Sequence, residues 1–176
     1  MLQKNWQALI KPYKLGVSTH ADETRRAVIV AEPLERGFGI TLGNALRRVL
    51  LSSLQGSAII GVKIEGVLHE FSSVPGVHED VTDLVLNLKN VPVASTSDFE
   101  KKVMLEAKGP GPVTAAQIIE TADVKVLDKD VVICHLDEGA VLKMELTIGR
   151  GKGYIPASRL RHEDHPLGYI PIDALY

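Results

Sequence analysis

The chain has 176 residues, 45% of them apolar, a single cysteine and a formal charge of −2 at pH 7. That length suits one domain or two small ones, and a globule of this size buries roughly 70% of the surface its unfolded chain exposes. Cys134, standing alone, excludes an internal disulfide and a cysteine-based zinc site. The slightly acidic balance leaves the chain as a whole without the electrostatic footprint of a nucleic-acid binder, a local basic patch aside. No apolar run approaches the roughly 20 residues of a membrane span. The start, MLQKNWQALIKPYKLG, lacks the apolar core and cleavage site of a secretory leader. A cytoplasmic protein is the expectation.

In chain order, residues 24–33, TRRAVIVAEP, alternate and are β-branched, which predicts a strand ended by Pro33. Thr41 to Ser53 predicts a helix, with the Thr41 hydroxyl available to accept from a free amide in its first turn. Residues 57–71, SAIIGVKIEGVLHEF, predict one or two strands, with Gly61 and Gly66 marking a bulge or turn. A loop with Pro75 and Gly76 leads into a second helix. Glu79 and Asp80 in its first turn and Lys89 in its last suit the helix dipole. Its apolar positions Val81, Leu84, Val85 and Leu88 follow i, i+3, i+4, i+7.

Beyond residue 91, KVMLEAKG, DVKVLDKDVVICHL and AVLKMELTIGRG predict strands, while GPGPVT (109–114) and the tail from Ser158 predict loops. Cys134, inside VVICHL, is expected to be a buried strand thiol. The whole predicts an α+β fold with few helices and many antiparallel strands. The last residues, IDALY, end apolar, which raises the expectation that the chain is cut from something longer.

The densest stretch is ERGFGITLGNALRRVLLSS, Glu35 to Ser53, whose glycines fall at Gly37, Gly39 and Gly43. Glycines ahead of a helix, and paired arginines, both hold phosphates, so a nucleotide-binding protein using Gly37 to Gly43 is the alternative function. Against it, a dinucleotide fingerprint runs from a strand straight into G-x-G-x-x-G. Here four residues intervene after the strand, the spacing is off by one, and Glu35 brings a negative charge. Projected at about 100° per residue, Leu42, Ala45, Leu46, Val49, Leu50 and Ser53 fall within an arc of about 140°. Asn44, Arg47, Arg48 and Leu51 lie opposite, the leucine between the two arginines. Periodicity leaves two readings open: a surface helix with solvated arginines, or a helix covered on both sides, with Arg47 and Arg48 facing a second partner. Four large aliphatics release roughly 6–12 kcal/mol on full burial. Association costs an estimated 4–15 kcal/mol, so the stripe alone is marginal as a dimer interface.

Taken together, EPLERGFGITLGNALRRVLLSS, GVLHEF, EDVTDLVLNLK, GPVTAA, VICHL and RGKGYIPAS closely resemble the α subunit of bacterial RNA polymerase, in order and over nearly the whole chain from residue 24. The resemblance implies a non-catalytic scaffold that forms a homodimer on which the large β and β′ subunits assemble. It implies that residues 1–53 are the first part of a dimerisation subdomain and 54–176 a mostly β insert subdomain. The rest of the dimerisation subdomain and a C-terminal DNA-binding domain would lie outside this chain. By position, Arg48, with Arg47 beside it, corresponds to a contact with β. Phe38, Leu42, Leu46 and Leu50 correspond to the dimer interface, and Asp83 and Lys89 to contacts with the large subunits. No cofactor is expected in this chain, magnesium being expected in β′, and DNA is expected only through the absent domain. The expected setting is the cytoplasm, in association with the nucleoid.

Other polar clusters have simpler explanations. His162-Glu163-Asp164-His165 could bind a metal, yet it reads as an exposed loop, and a family surface touched by activators is altered there. His69-Glu70 and His78-Glu79-Asp80 read as strand and helix-start residues. RGKGY, residues 150–154, reads as a turn facing a protein partner rather than phosphate.

Overall fold

The computed structural model describes residues 8–19, 26–161 and 165–176. The chain divides into two compact units, residues 1–49 and 50–176.

In the first unit, β1 (Leu15–Thr19) pairs antiparallel with β2 (Ala27–Ala31). Residues 24 and 25 of the predicted strand lie outside the described residues. The register sets Leu15 against Ala31 and Val17 against Ile29 on one face, with Val28 and Val30 on the other. No residue of either strand is buried. Two strands with apolar side chains on both faces have no core of their own, and an isolated ribbon is marginal in water.

A helix, α1 (Phe38–Ser52), follows. It starts three residues before the expected Thr41. Gly37, at φ +88°, makes the turn that admits it, and the Phe38 amide donates to the Glu35 carbonyl at 3.0 Å. Thr41 is therefore not a cap: its Oγ1 donates to the Gly37 carbonyl at 3.4 Å, the i−4 bond of a threonine already inside a helix.

The second unit is built on a four-stranded antiparallel sheet ordered β11-β3-β9-β5, from β3 (Gln55–Ile64), β5 (Lys101–Lys108), β9 (Val141–Lys152) and β11 (Tyr169–Pro171). Alternation in β5 is clean, with Val103, Leu105 and Ala107 inward and Met104, Glu106 and Lys108 outward. β3 is buried on both sides. Its register against β9 shifts between Ile59 and Gly61. Ile59, Val62 and Ile64 then enter the main core, while Ala58 and Ile60 join a small cluster with Ala174, Ile155, Leu160 and Tyr176. Gly61 is required there: a β-carbon would occupy the space of the Tyr169 ring.

The second helix, α2 (Val81–Leu88), buries Val81, Leu84 and Leu88. Asp80 caps it, its side chain accepting from the Asp83 amide at 2.8 Å, so Glu79 lies before the helix rather than in its first turn. Short pairs complete the unit: β4 (Val93–Ser95) with β7 (Val124–Val126), β6 (Gly111–Thr114) with β8 (Val132–Leu136), and β10 (Tyr154–Ile155) with β12 (Ala174–Leu175). A four-residue helix, α3 (Ala157–Leu160), lies between β10 and β11.

Three expectations need correction. The second strand that could follow Gly66 is absent: β3 ends at Ile64, Gly66 makes the expected turn at φ +82°, and only Val67 of the run after it reaches the core. GPVT is strand β6 rather than loop, and Pro112, which has no amide to donate, sits in a two-stranded pair. The tail is not all loop: β11 and β12 both pair in it.

Candidate subunit interface

The features that bear on function begin with α1. The helix carries no buried residue, and its apolar stripe lies open: Leu42 is 42% exposed, Leu46 61% and Leu50 59%, with Phe38 at 36%. A monomer seldom leaves so continuous a row of leucines in water unless something covers it. β-carbons at Gly39 and Gly43 would meet nothing within 4 Å, which leaves room for a close-packed neighbour. On the other side Arg47 and Arg48 are exposed, and Leu51 between them is 61% exposed. Arginine suits a protein contact here, because its planar fork stays charged and bonds carboxylates two at a time.

The same geometry bears on the glycines. Only Gly37 precedes α1, while Gly39 and Gly43 are inside it. A phosphate cradle needs glycines in the turn ahead of the helix, where backbone amides point outward. Between the end of β2 and the start of α1 stand Glu32 and Glu35, the latter accepting from the Ile10 amide at 3.2 Å.

Asp83 and Lys89, grouped by the resemblance, stand in different settings. Asp83 is exposed on the first turn of α2. Lys89 ends that helix and turns back on its own chain, its Nζ 2.9 Å from Asp173 Oδ2, with side chains only 28% and 33% exposed. Asp173 Oδ1 also accepts from the Ala157 amide at 2.8 Å, at the start of α3. That amide, then Lys89, hold the Asp173 carboxyl below the usual aspartate value. Asp173 thus joins α2, α3 and the last strand segment. Sequence reasoning missed it; the only local sign was a lone carboxylate in the apolar run YIPIDAL.

Two histidines pair with carboxylates beside β8. His135 Nδ1 is 2.7 Å from Glu79 Oε1, and the His135 amide donates to Glu79 Oε2 at 2.7 Å. Burial pushes the Glu79 carboxyl up, but the bonds from the His135 ring and amide outweigh it and hold the group below its ordinary value. His78 Nε2 lies 2.7 Å from Asp137 Oδ1. His69 is a loop residue rather than a strand residue, with Ser72 Oγ 3.2 Å from its Nδ1. Cys134 is fully buried, and burial, then the Glu79 charge, push its thiol up to about 12, so it offers no nucleophile.

Of the acidic tail loop, His162, Glu163 and Asp164 lie outside the described residues, and His165 packs its ring on Tyr169 at 4.0 Å between centroids. The RGKGY segment is the end of β9 and a turn at Gly153 (φ +67°), with Arg150 Nη1 2.8 Å from Asp98 Oδ1. Among the described residues no group of three or more His, Cys, Asp or Glu side chains is placed to hold a metal, and no helix is long and apolar enough to cross a membrane.

The profile described as the RNA polymerase Rpb3/RpoA insert domain matches residues 62–176, well over half of the chain. The match begins near the end of β3, at residue 62, and takes in β5, β9 and β11 of the four-stranded sheet, α2 and the small strand pairs of the second unit. The chain therefore belongs to the Rpb3/RpoA insert-domain family and is an α/Rpb3-type subunit of DNA-directed RNA polymerase, a protein that associates with other subunits of that nucleotidyltransferase.

Proposed function

We propose that the chain is the assembly scaffold of a bacterial RNA polymerase: an α subunit that pairs with a second copy and then recruits β and β′. The observation that carries this reading is the two-sided exposure of α1, leucines on one side and Arg47 and Arg48 on the other. In it, Phe38, Leu42, Leu46 and Leu50 meet the second α subunit. Arg47 and Arg48 meet carboxylates of β. Asp83, exposed on α2, and Lys89, which also pairs with Asp173 within the fold, are further contacts for the large subunits.

The division of labour follows the family resemblance. Residues 1–53 serve dimerisation and 54–176 form the insert subdomain. Polymerisation chemistry, with its magnesium, belongs to β′, and the site of action is the cytoplasm and nucleoid. Arg48→Ala in the complete subunit tests the reading. Dimers by light scattering should persist while β recovered on the tagged subunit falls severalfold. Equal recovery of β would remove the arginine side from the account.

A further inference from the structure

The two histidine–carboxylate pairs beside β8 have no part in the assembly reading, and their arrangement is not that of isolated surface pairs. The segment Gly76–Asp80, which leads into α2, runs antiparallel to the end of β8. Val77 bridges Leu136, the His78 amide donates to the His135 carbonyl at 3.0 Å, and the Asp137 amide donates to the Gly76 carbonyl at 2.9 Å. That register makes His78 and His135 directly opposed cross-strand neighbours, and their rings share one face at 6.3 Å between centroids. Side chains opposed in this way are held within reach of one another by the backbone alone.

Each imidazole uses one nitrogen on a carboxylate and keeps the other. Asp137 engages Nε2 of His78, leaving Nδ1; Glu79 engages Nδ1 of His135, leaving Nε2. A carboxylate behind a histidine fixes its tautomer and raises the basicity of the opposite nitrogen, the arrangement that metal-binding histidines use. The two carboxylates also bring two negative charges to the spot. Both rings are accessible, with side chains 60% and 50% exposed.

We propose that His78 and His135 together bind a borderline divalent transition-metal ion, Zn²⁺, Ni²⁺ or Cu²⁺, with Asp137 and Glu79 orienting the two rings. Metal–nitrogen bonds of about 2.0–2.1 Å at a tetrahedral angle set ring centroids roughly 5 Å apart. The rings must therefore close by about 1 Å and turn His78 Nδ1 and His135 Nε2 toward a common point, a movement open to half-exposed side chains. No third His, Cys or carboxylate is preformed among the described residues, so the protein supplies two ligands and water the rest. Such a site is weaker than a structural zinc site, and by the general order of divalent affinities it takes Cu²⁺ most tightly. The ion would staple the lead-in of α2 to β8.

The test is calorimetric titration of the full chain with ZnCl₂ at pH 7.5, against His78→Gln, His135→Gln, His69→Gln and His165→Gln, each checked for native circular dichroism. One saturable equivalent is expected, weakened at least tenfold by either of the first two substitutions and unaltered by the last two. Glu79→Gln should weaken it by less than removal of a ring. A readout that needs no variant is carbethoxylation mapped by mass spectrometry, in which Zn²⁺ should protect His78 and His135 together. Absence of saturable binding, binding insensitive to His78→Gln and His135→Gln, or equal carbethoxylation with and without Zn²⁺ would each overturn the site.

Discussion

Asp173→Ala is the most informative change inside the fold. The carboxylate accepts from the Ala157 amide at 2.8 Å and from Lys89 Nζ at 2.9 Å, so the alanine removes two charge-assisted hydrogen bonds at once. Bonds to a charged group are worth about 1.5–3 kcal/mol when shielded. The pair with Lys89, about a third exposed on the aspartate side, adds well under 1 kcal/mol. A loss of about 2 kcal/mol is the expectation, a fall in Tm of roughly 5–8 °C for a unit of this size.

The pH dependence gives the sign. A carboxyl held below its ordinary value of 3.8 in the fold stabilises the protein above that pH, and the contribution disappears as pH falls through the lowered value. Urea unfolding at pH 7 and again near pH 3 should therefore show a wide gap between wild type and variant that narrows on acidification. Asp173→Asn, which keeps an acceptor for Ala157 but no charge for Lys89, should fall between the two. A change under 0.5 kcal/mol at pH 7, or a gap that stays constant with pH, would show that Asp173 does not join these elements.

Leu46→Asp should leave the melting of the monomer almost unchanged, since Leu46 is 61% exposed, yet abolish self-association of the complete subunit by light scattering; loss of fold instead would mean that the stripe is core. Glu79→Gln should cost about 1–2 kcal/mol at pH 7 by urea titration. Because the Glu79 carboxyl is held low, that cost should shrink on acidification rather than grow. Cys134, buried with its thiol pushed up to about 12, should resist iodoacetamide in the native protein and react rapidly in urea; fast native alkylation would contradict the packing around β8.

Local pattern carried some elements and not others. The i, i+3, i+4, i+7 spacing in α2 was legible because its helix faces a core on one side only, and Val81, Leu84 and Leu88 are buried as that spacing requires. The start of α1 was not, because a threonine hydroxyl that can cap a helix can equally bond the carbonyl four residues back from inside one. VLHEF looked strand-like by its apolar residues, but a glycine at positive φ redirects the backbone before any partner strand is met. The stripe and arginine pair of α1 were visible in sequence because both faces lie within 15 residues. Lys89–Asp173 and Glu79–His135 were invisible because 84 and 56 positions separate the partners, and nothing local in either residue announces the other.

The central claim is that this helix serves two partners with two faces. It is tested most directly by co-expressing the complete tagged subunit with β and quantifying β on the purified dimer for wild type and Arg48→Ala. The account predicts intact dimers in both, with β recovered on the wild type and depleted severalfold on the variant. Equal β on both, or dimers lost along with β, would contradict it.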